Sequence, residues 1–178
     1  MEKWDKLLDI KFYKNDVGRG IISPNLNECL KKCNGKWIKI LFQDDFLFDK
    51  ESLNITHNFI VNNEVKNWIL SRFIHSYDGI NFFREFYPQY NDLIWIGNNT
   101  IGCPSVLLIK NDNIELFDDK LEWLMDVEYY KRLYDIHGQP SIINSITVVN
   151  RAQNGGISSK ISEDIKNKEE KELRLIYG

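Results

Sequence analysis

Two adjacent carboxylates, Asp44 and Asp45, follow directly on an apolar run that contains Trp37, Ile38, Ile40, Leu41 and Phe42. Such a pair repels itself, so a hard divalent cation or a neighbouring Lys or Arg stabilises it, and its oxygen ligands suit Mg²⁺ or Mn²⁺. The same two residues can also end a strand or cap a helix in water, with no ligand at all. On the chemistry of the pair alone both readings stand. His57, His75 and His137 show no ligand spacing and are expected at solvent-exposed or internally satisfied positions. Cys29, Cys33 and Cys103 are odd in number and are expected as small, reduced core residues rather than as a disulfide or zinc site.

Holding the carboxylates in place requires a helix and a strand, and both have local signals. In SPNLNECLKKCNGK, Ser23 suits the N-cap, Pro24 the first helical position and Gly35 a left-handed stop, which predicts a helix over 24–33. The unalternating run Trp37 to Phe42 then reads as a strand buried on both faces of a parallel sheet. Asp44 and Asp45 stand at its carboxyl end, beyond which open α/β sheets bind ligands. Val65, Trp68, Ile69 and Phe73 have helical spacing, while SYDGINFFREFYPQYNDL reads as aromatic loop. Val106 to Ile109 reads as a strand closed by a polar turn over 111–113. The strongest helical pattern is Leu121, Leu124, Met125, Tyr129 and Leu133, ended by Gly138 and Pro140. SIINSITVVNR, β-branched and apolar, reads as a further strand. The charged segment 161–178 reads as a solvated, partly frayed helix, a tail on a single α/β domain over 1–160.

The set NGKWIKILFQDDFL, SPNLNECLKKC before it, and FDDKLEWLMDVEYYKRLY and VNRAQNGGISSK after it, in that order, resembles the family 2 glycosyltransferases over roughly residues 12–160. The resemblance implies a partial GT-A fold, Rossmann-related, in one domain with a mixed sheet and flanking helices. It implies transfer of a sugar from a nucleotide-sugar donor to a hydroxyl of a glycan or lipid-linked acceptor, with inversion and with Mn²⁺ or Mg²⁺ as cofactor. The family's Asp-x-Asp pattern maps onto Phe42, Gln43 and Asp44, so Asp44 is the implied metal ligand and Asp45 an implied donor-site residue. The family's Glu-Asp pair maps onto Met125 and Asp126, which makes Asp126 the implied general base. In RAQNGGISSK, Arg151 and Ser158 match, Gln153 stands where a histidine is usual, and Arg151 is implied to pair with the donor diphosphate. Cys103 and Pro104 match a segment near the acceptor side, with no implied chemistry.

A net charge of -3 and a pI near 5.7 argue against a face built to neutralise nucleic-acid phosphates. No stretch approaches the ~20 apolar residues of a membrane span, and MEKWDKLLDI lacks the apolar core of a signal peptide. The expectation is a cytoplasmic protein that meets a membrane only at its periphery. Family members normally begin with a strand, a helix and an acidic second strand, whereas this sequence opens in a segment resembling the helix after them. An uncovered sheet edge would then call for a partner chain or self-association. A non-catalytic GT-A remnant acting as a binding or assembly module is the alternative function, and a metal-dependent phosphoesterase using Asp44 and Asp45 is a third.

Overall fold

A computed structural model describes residues 9–16, 20–152 and 160–178, so the expectations for Gln153 and Ser158 lie outside the described residues. The order is α1 (Ile22–Lys32), β1 (Trp37–Lys39), β2 (Phe46–Leu47), α2 (Ser52–Asn62), β3 (Trp68–Ser76), β4 (Phe82–Phe86), β5 (Leu107–Lys110), α3 (Met125–His137), β6 (Ser141–Arg151) and α4 (Glu163–Tyr177). Two 3-10 turns, Ile94–Ile96 and Pro104–Val106, lie between β4 and β5.

The sheet is organised around β3. Trp68, Ile69 and Leu70 are all fully buried, and a run with no polar face is satisfied only where the strand has neighbours on both edges and cover on both faces. Along one edge β6 runs parallel to it, from Ile69 opposite Ser141 to Ser76 opposite Arg151. Along the other edge β5 pairs antiparallel with its first half and β4 with its second. β1 extends the sheet beyond β5 and β2 extends it beyond β6, both antiparallel. The result is the expected mixed α/β domain with flanking helices.

Two layers of helix cover this sheet. Ile69, Leu108 and Ile143 pack against Ile55 and Phe59 of α2. Trp68, Leu70 and Leu107 belong to the larger cluster, with Leu30 of α1, Tyr129, Tyr130 and Leu133 of α3, and Leu173 of α4. Cutting Leu70 to Ala in this layer costs about 2–5 kcal/mol, because the packed neighbours close the resulting hole only in part.

Several local expectations change. The segment with helical spacing at Val65, Trp68, Ile69 and Phe73 is the central strand instead, since an apolar run gains more from pairing on both edges than from one turn of helix. The helix of this region lies earlier, as α2, and the aromatic segment read as loop contains β4. The run Trp37 to Phe42 pairs over only three residues, antiparallel and at a sheet edge rather than inside a parallel sheet, and Leu41 is 44% exposed. Ser23 lies inside α1 and donates its hydroxyl hydrogen to the Leu121 carbonyl at 2.8 Å rather than capping the helix. Gly35 is not the stop: α1 ends at Cys33, in extended backbone. Cys29 and Cys33 are exposed free thiols, not core residues. The charged C-terminal segment does form a helix, but Glu169 and Leu173 of α4 are buried.

Candidate active site

Asp126 is positioned from the C-terminal end of the chain. Leu124 at the N-cap of α3 has no side-chain cap of its own. The backbone N–H groups of Glu122, Trp123 and Leu124 donate instead to the Glu169 carboxylate, at 2.7, 3.0 and 2.8 Å. Glu169 is only 2% exposed, so these are buried charge-assisted bonds, and they fix the start of α3. In the first turn, Asp126 forms part of the wall of a cavity of about 280 Å³. Its Oδ1 accepts from the Val127 N–H and its Oδ2 from Asn99 Nδ2, both at 2.8 Å. Burial pushes the carboxyl pKa up to about 6, against the lowering effect of these hydrogen bonds. A carboxylate of that basicity is suited to accept a proton near neutral pH.

The loop opposite Asp126 is held by Asn99, whose Oδ1 accepts from the N–H groups of Ile101 and Gly102 at 3.0 and 2.8 Å. Gly102 has φ +106°, and a Cβ there would lie 2.5 Å from the Phe73 ring. Only glycine satisfies both the backbone and the space.

Behind the Cys103 and Asn150 end of the cavity wall, and outside its lining, the two adjacent aspartates part company. Asp45 is 7% exposed. Its Oδ1 accepts from Asn150 Nδ2 and from the Arg151 backbone N–H, both at 3.0 Å, and its Oδ2 accepts from the Cys103 thiol at 3.2 Å. The carboxylate therefore ties β6 to the strand end that precedes β2. Burial pushes the Cys103 thiol far above its ordinary pKa and keeps it protonated. Lys39 donates to the Ser105 carbonyl, and burial brings its pKa down to about 8 against the raising influence of Cys103 and Asp45.

Asp44 is exposed and has no hydrogen bond or ion pair among the described residues. A single free carboxylate fits a cation of the Mg²⁺ type, which is commonly held by one or two carboxylates and takes its other ligands from substrate phosphates and water. Among the described residues no three His, Cys, Asp or Glu side chains gather into a closed metal cage. Arg151 ends β6 with an exposed guanidinium, Nη2 lying 3.4 Å from the Asp78 carbonyl.

The fold thus brings Asp45 and Arg151 into contact and joins them, through Asn150 and Cys103, to the cavity wall that holds Asp126. Neither Asp44 nor Arg151 lines that cavity. Asn99, Asn150, Glu169 and Arg84, unmarked in the sequence, complete the site together with His75, which was given no role there. Each acts through a partner far along the chain or across a hairpin, so no local spacing could reveal it. His75 is the clearest case: set aside for lack of ligand spacing, it lines the cavity with its Nδ1 2.8 Å from the Arg84 carbonyl.

This architecture is a glycosyltransferase-like fold. Solved structures of Staphylococcus aureus TarS, a glycosyltransferase, share it. The structure of TarS 1–349 in complex with UDP-GlcNAc aligns with a TM-score of 0.67 at 17% identity, over 99% of this chain and 52% of that one. TarS 1–349 without that ligand aligns at 0.64 and 18% identity over 84% and 46%, and a longer TarS structure at 0.65 and 17% over 85% and 28%. The chain spans about half the length of the TarS 1–349 structures. No protein-family profile matches the sequence, and no curated protein does.

Proposed function

We propose that this chain transfers a sugar from a nucleotide-sugar donor to an acceptor hydroxyl, with inversion at the anomeric carbon, in the manner of the family 2 glycosyltransferases. The observation that carries the proposal is Asp126, a half-buried carboxyl of raised pKa held at a helix N-terminus on a cavity wall. TarS structures in complex with UDP and UDP-GlcNAc support a nucleotide-sugar donor for this fold.

In this reading the acceptor, a glycan or lipid-linked hydroxyl, enters the cavity and places its O–H within hydrogen-bond reach of Asp126. The carboxylate takes the proton as the oxygen attacks the anomeric carbon. The bond from that carbon to the diphosphate breaks on the opposite face, and its electron pair leaves with the nucleotide. Asp44 would hold the divalent cation, Mn²⁺ or Mg²⁺. When bound, that ion supplies positive charge against the negative charge gathering on the departing diphosphate. Arg151 offers a planar guanidinium to the phosphate oxygens, and Asp45 holds the Arg151 backbone in register beside it.

Titration calorimetry with UDP-GlcNAc and other nucleotide sugars, with and without Mn²⁺, tests the donor site. Binding that requires the metal is expected, and no binding at millimolar ligand would overturn the proposal. Asp126→Asn should lower transfer by about 10²–10⁴ while leaving donor affinity unchanged. Transfer at the wild-type rate in that variant would remove Asp126 from the chemistry. A second reading, a non-catalytic binding module of the same fold, is favoured by the position of Asp44 outside the cavity lining. It predicts donor binding with no transfer to any acceptor.

A further inference from the structure

The hairpin of β3 and β4 contains one irregularity. Ile74 pairs with Glu85 and His75 with Phe83, so Arg84 is the extra residue of a β-bulge. Its φ is +47°, a left-handed conformation that costs a residue with a side chain about 1–2 kcal/mol. Its carbonyl is held by the His75 ring. A bulge re-aims the side chain it carries, and here that side chain joins the cavity wall that also contains His75 and Asp126. The neighbouring carboxylate, Glu85, is already paired with Arg72. Among the described residues the Arg84 guanidinium has neither an ion pair nor a hydrogen bond, with Asp126 or with any other group.

The Arg84 side chain is exposed to solvent, and the left-handed backbone carries it, without a protein partner, to the rim of a cavity where a ligand can reach it. The planar fork fits a carboxylate or a phosphate. The Asp126 carboxylate repels a second negative group and welcomes a hydroxyl, so the ligand must be neutral at one point and anionic at another. The donor diphosphate is assigned to the Asp44 and Arg151 end, neither of which lines this cavity. We propose that Arg84 is an acceptor-binding residue, and that the acceptor carries a phosphate or carboxylate which Arg84 holds while the attacking hydroxyl lies at Asp126. The assignment rests on the glycosyltransferase reading above.

The test uses the full chain and NMR of the His75 ring, with glycerol 3-phosphate, glucuronate and glucose as probes. Donor binding is measured separately with UDP-GlcNAc and Mn²⁺. At least one of the two anionic probes should bind and shift the His75 signals, and glucose should not. The tighter anion tells a phosphate-bearing acceptor from a carboxylate-bearing one. Arg84→Gln should weaken that anion at least tenfold and leave donor affinity alone, whereas Arg151→Gln should do the reverse. Arg84→Gly relieves the left-handed strain, so it should melt above the wild type and still lose the anion, which a merely structural arginine would not do. Equal anion affinity in wild type and Arg84→Gln, or glucose binding as tightly as the anions, would overturn the proposal. Arg84-dependent anion binding in a chain that binds no donor would instead sink the glycosyltransferase reading, and the acceptor role with it, while leaving an anion site at Arg84.

Discussion

The raised pKa of Asp126 makes a prediction about stability that needs no substrate. Burial holds the carboxyl near a pKa of about 6, against an ordinary value of 3.8. Between those values the native state keeps a proton that the unfolded chain has released. The unfolded state then binds fewer protons, so stability falls as pH rises from about 4 to about 6 and stays reduced above that. A gap of about two units at about 1.36 kcal/mol each is an upper figure of about 3 kcal/mol. Because the carboxyl borders an open cavity, screening by solvent brings the expectation to about 1–3 kcal/mol. Asp126→Asn removes the titration and forfeits one acceptor, a loss of about 1 kcal/mol that does not vary with pH. Urea unfolding of both proteins at pH 4, 5, 6, 7 and 8 isolates the titrating part, provided the m-values agree. The stability of Asp126→Asn relative to wild type should climb by about 1–3 kcal/mol between pH 4 and pH 7. A difference that stays flat across this range would show that burial does not raise the carboxyl pKa, and the case for a tuned base would fall. By the same reasoning transfer should rise with pH through about 6 in the wild type as the base ionises.

Other expectations follow from the hydrogen bonds around the site. Glu169→Gln keeps the shape of the buried carboxylate but loses its charge and presents N–H to N–H, so it should destabilise the chain by about 2–4 kcal/mol and lower Tm by about 5–15 °C in a calorimetric scan. An unchanged Tm would mean that α4 does not anchor the start of α3. Asp44→Asn should weaken Mn²⁺ binding without moving Tm, since its side chain is exposed and unpaired, whereas Asp45→Asn should lower stability by about 1–3 kcal/mol. Equal metal affinity in wild type and Asp44→Asn would remove the metal role. Gly102→Ala forces a Cβ to within 2.5 Å of Phe73 at φ +106°, so a loss of more than about 2 kcal/mol is expected in urea unfolding, and a neutral result would contradict the loop geometry.

Where signals are local, the sequence alone determined the outcome. The apolar spacing through Met125, Tyr129 and Leu133 with its Gly138 stop became α3, although Leu121 and Leu124, which open the pattern, lie ahead of the helix, and the β-branched run from Ser141 became β6, because helical period and strand composition act within a few residues. The α/β class was legible for the same reason, while Asp126 was picked out by the family resemblance and its place in the first turn of α3 by the structure. What the sequence left open was decided by pairing and burial between distant segments. Trp68 to Leu70 carry a helical and a strand pattern at once, and β5 and β6 on either edge settle the matter. Asp44 and Asp45 are chemically alike and adjacent, yet Asn150, Arg151 and Cys103 converge on only one of them. Glu169 read as one more charge on a solvated tail until α4 laid it against three backbone N–H groups. Arg84 looked like any polar residue of an aromatic loop, and only the register of β3 with β4 shows it as a bulge aimed at a cavity. A side chain's role depends on the groups that desolvate and pair with it, and the tertiary fold gathers those from positions far along the chain.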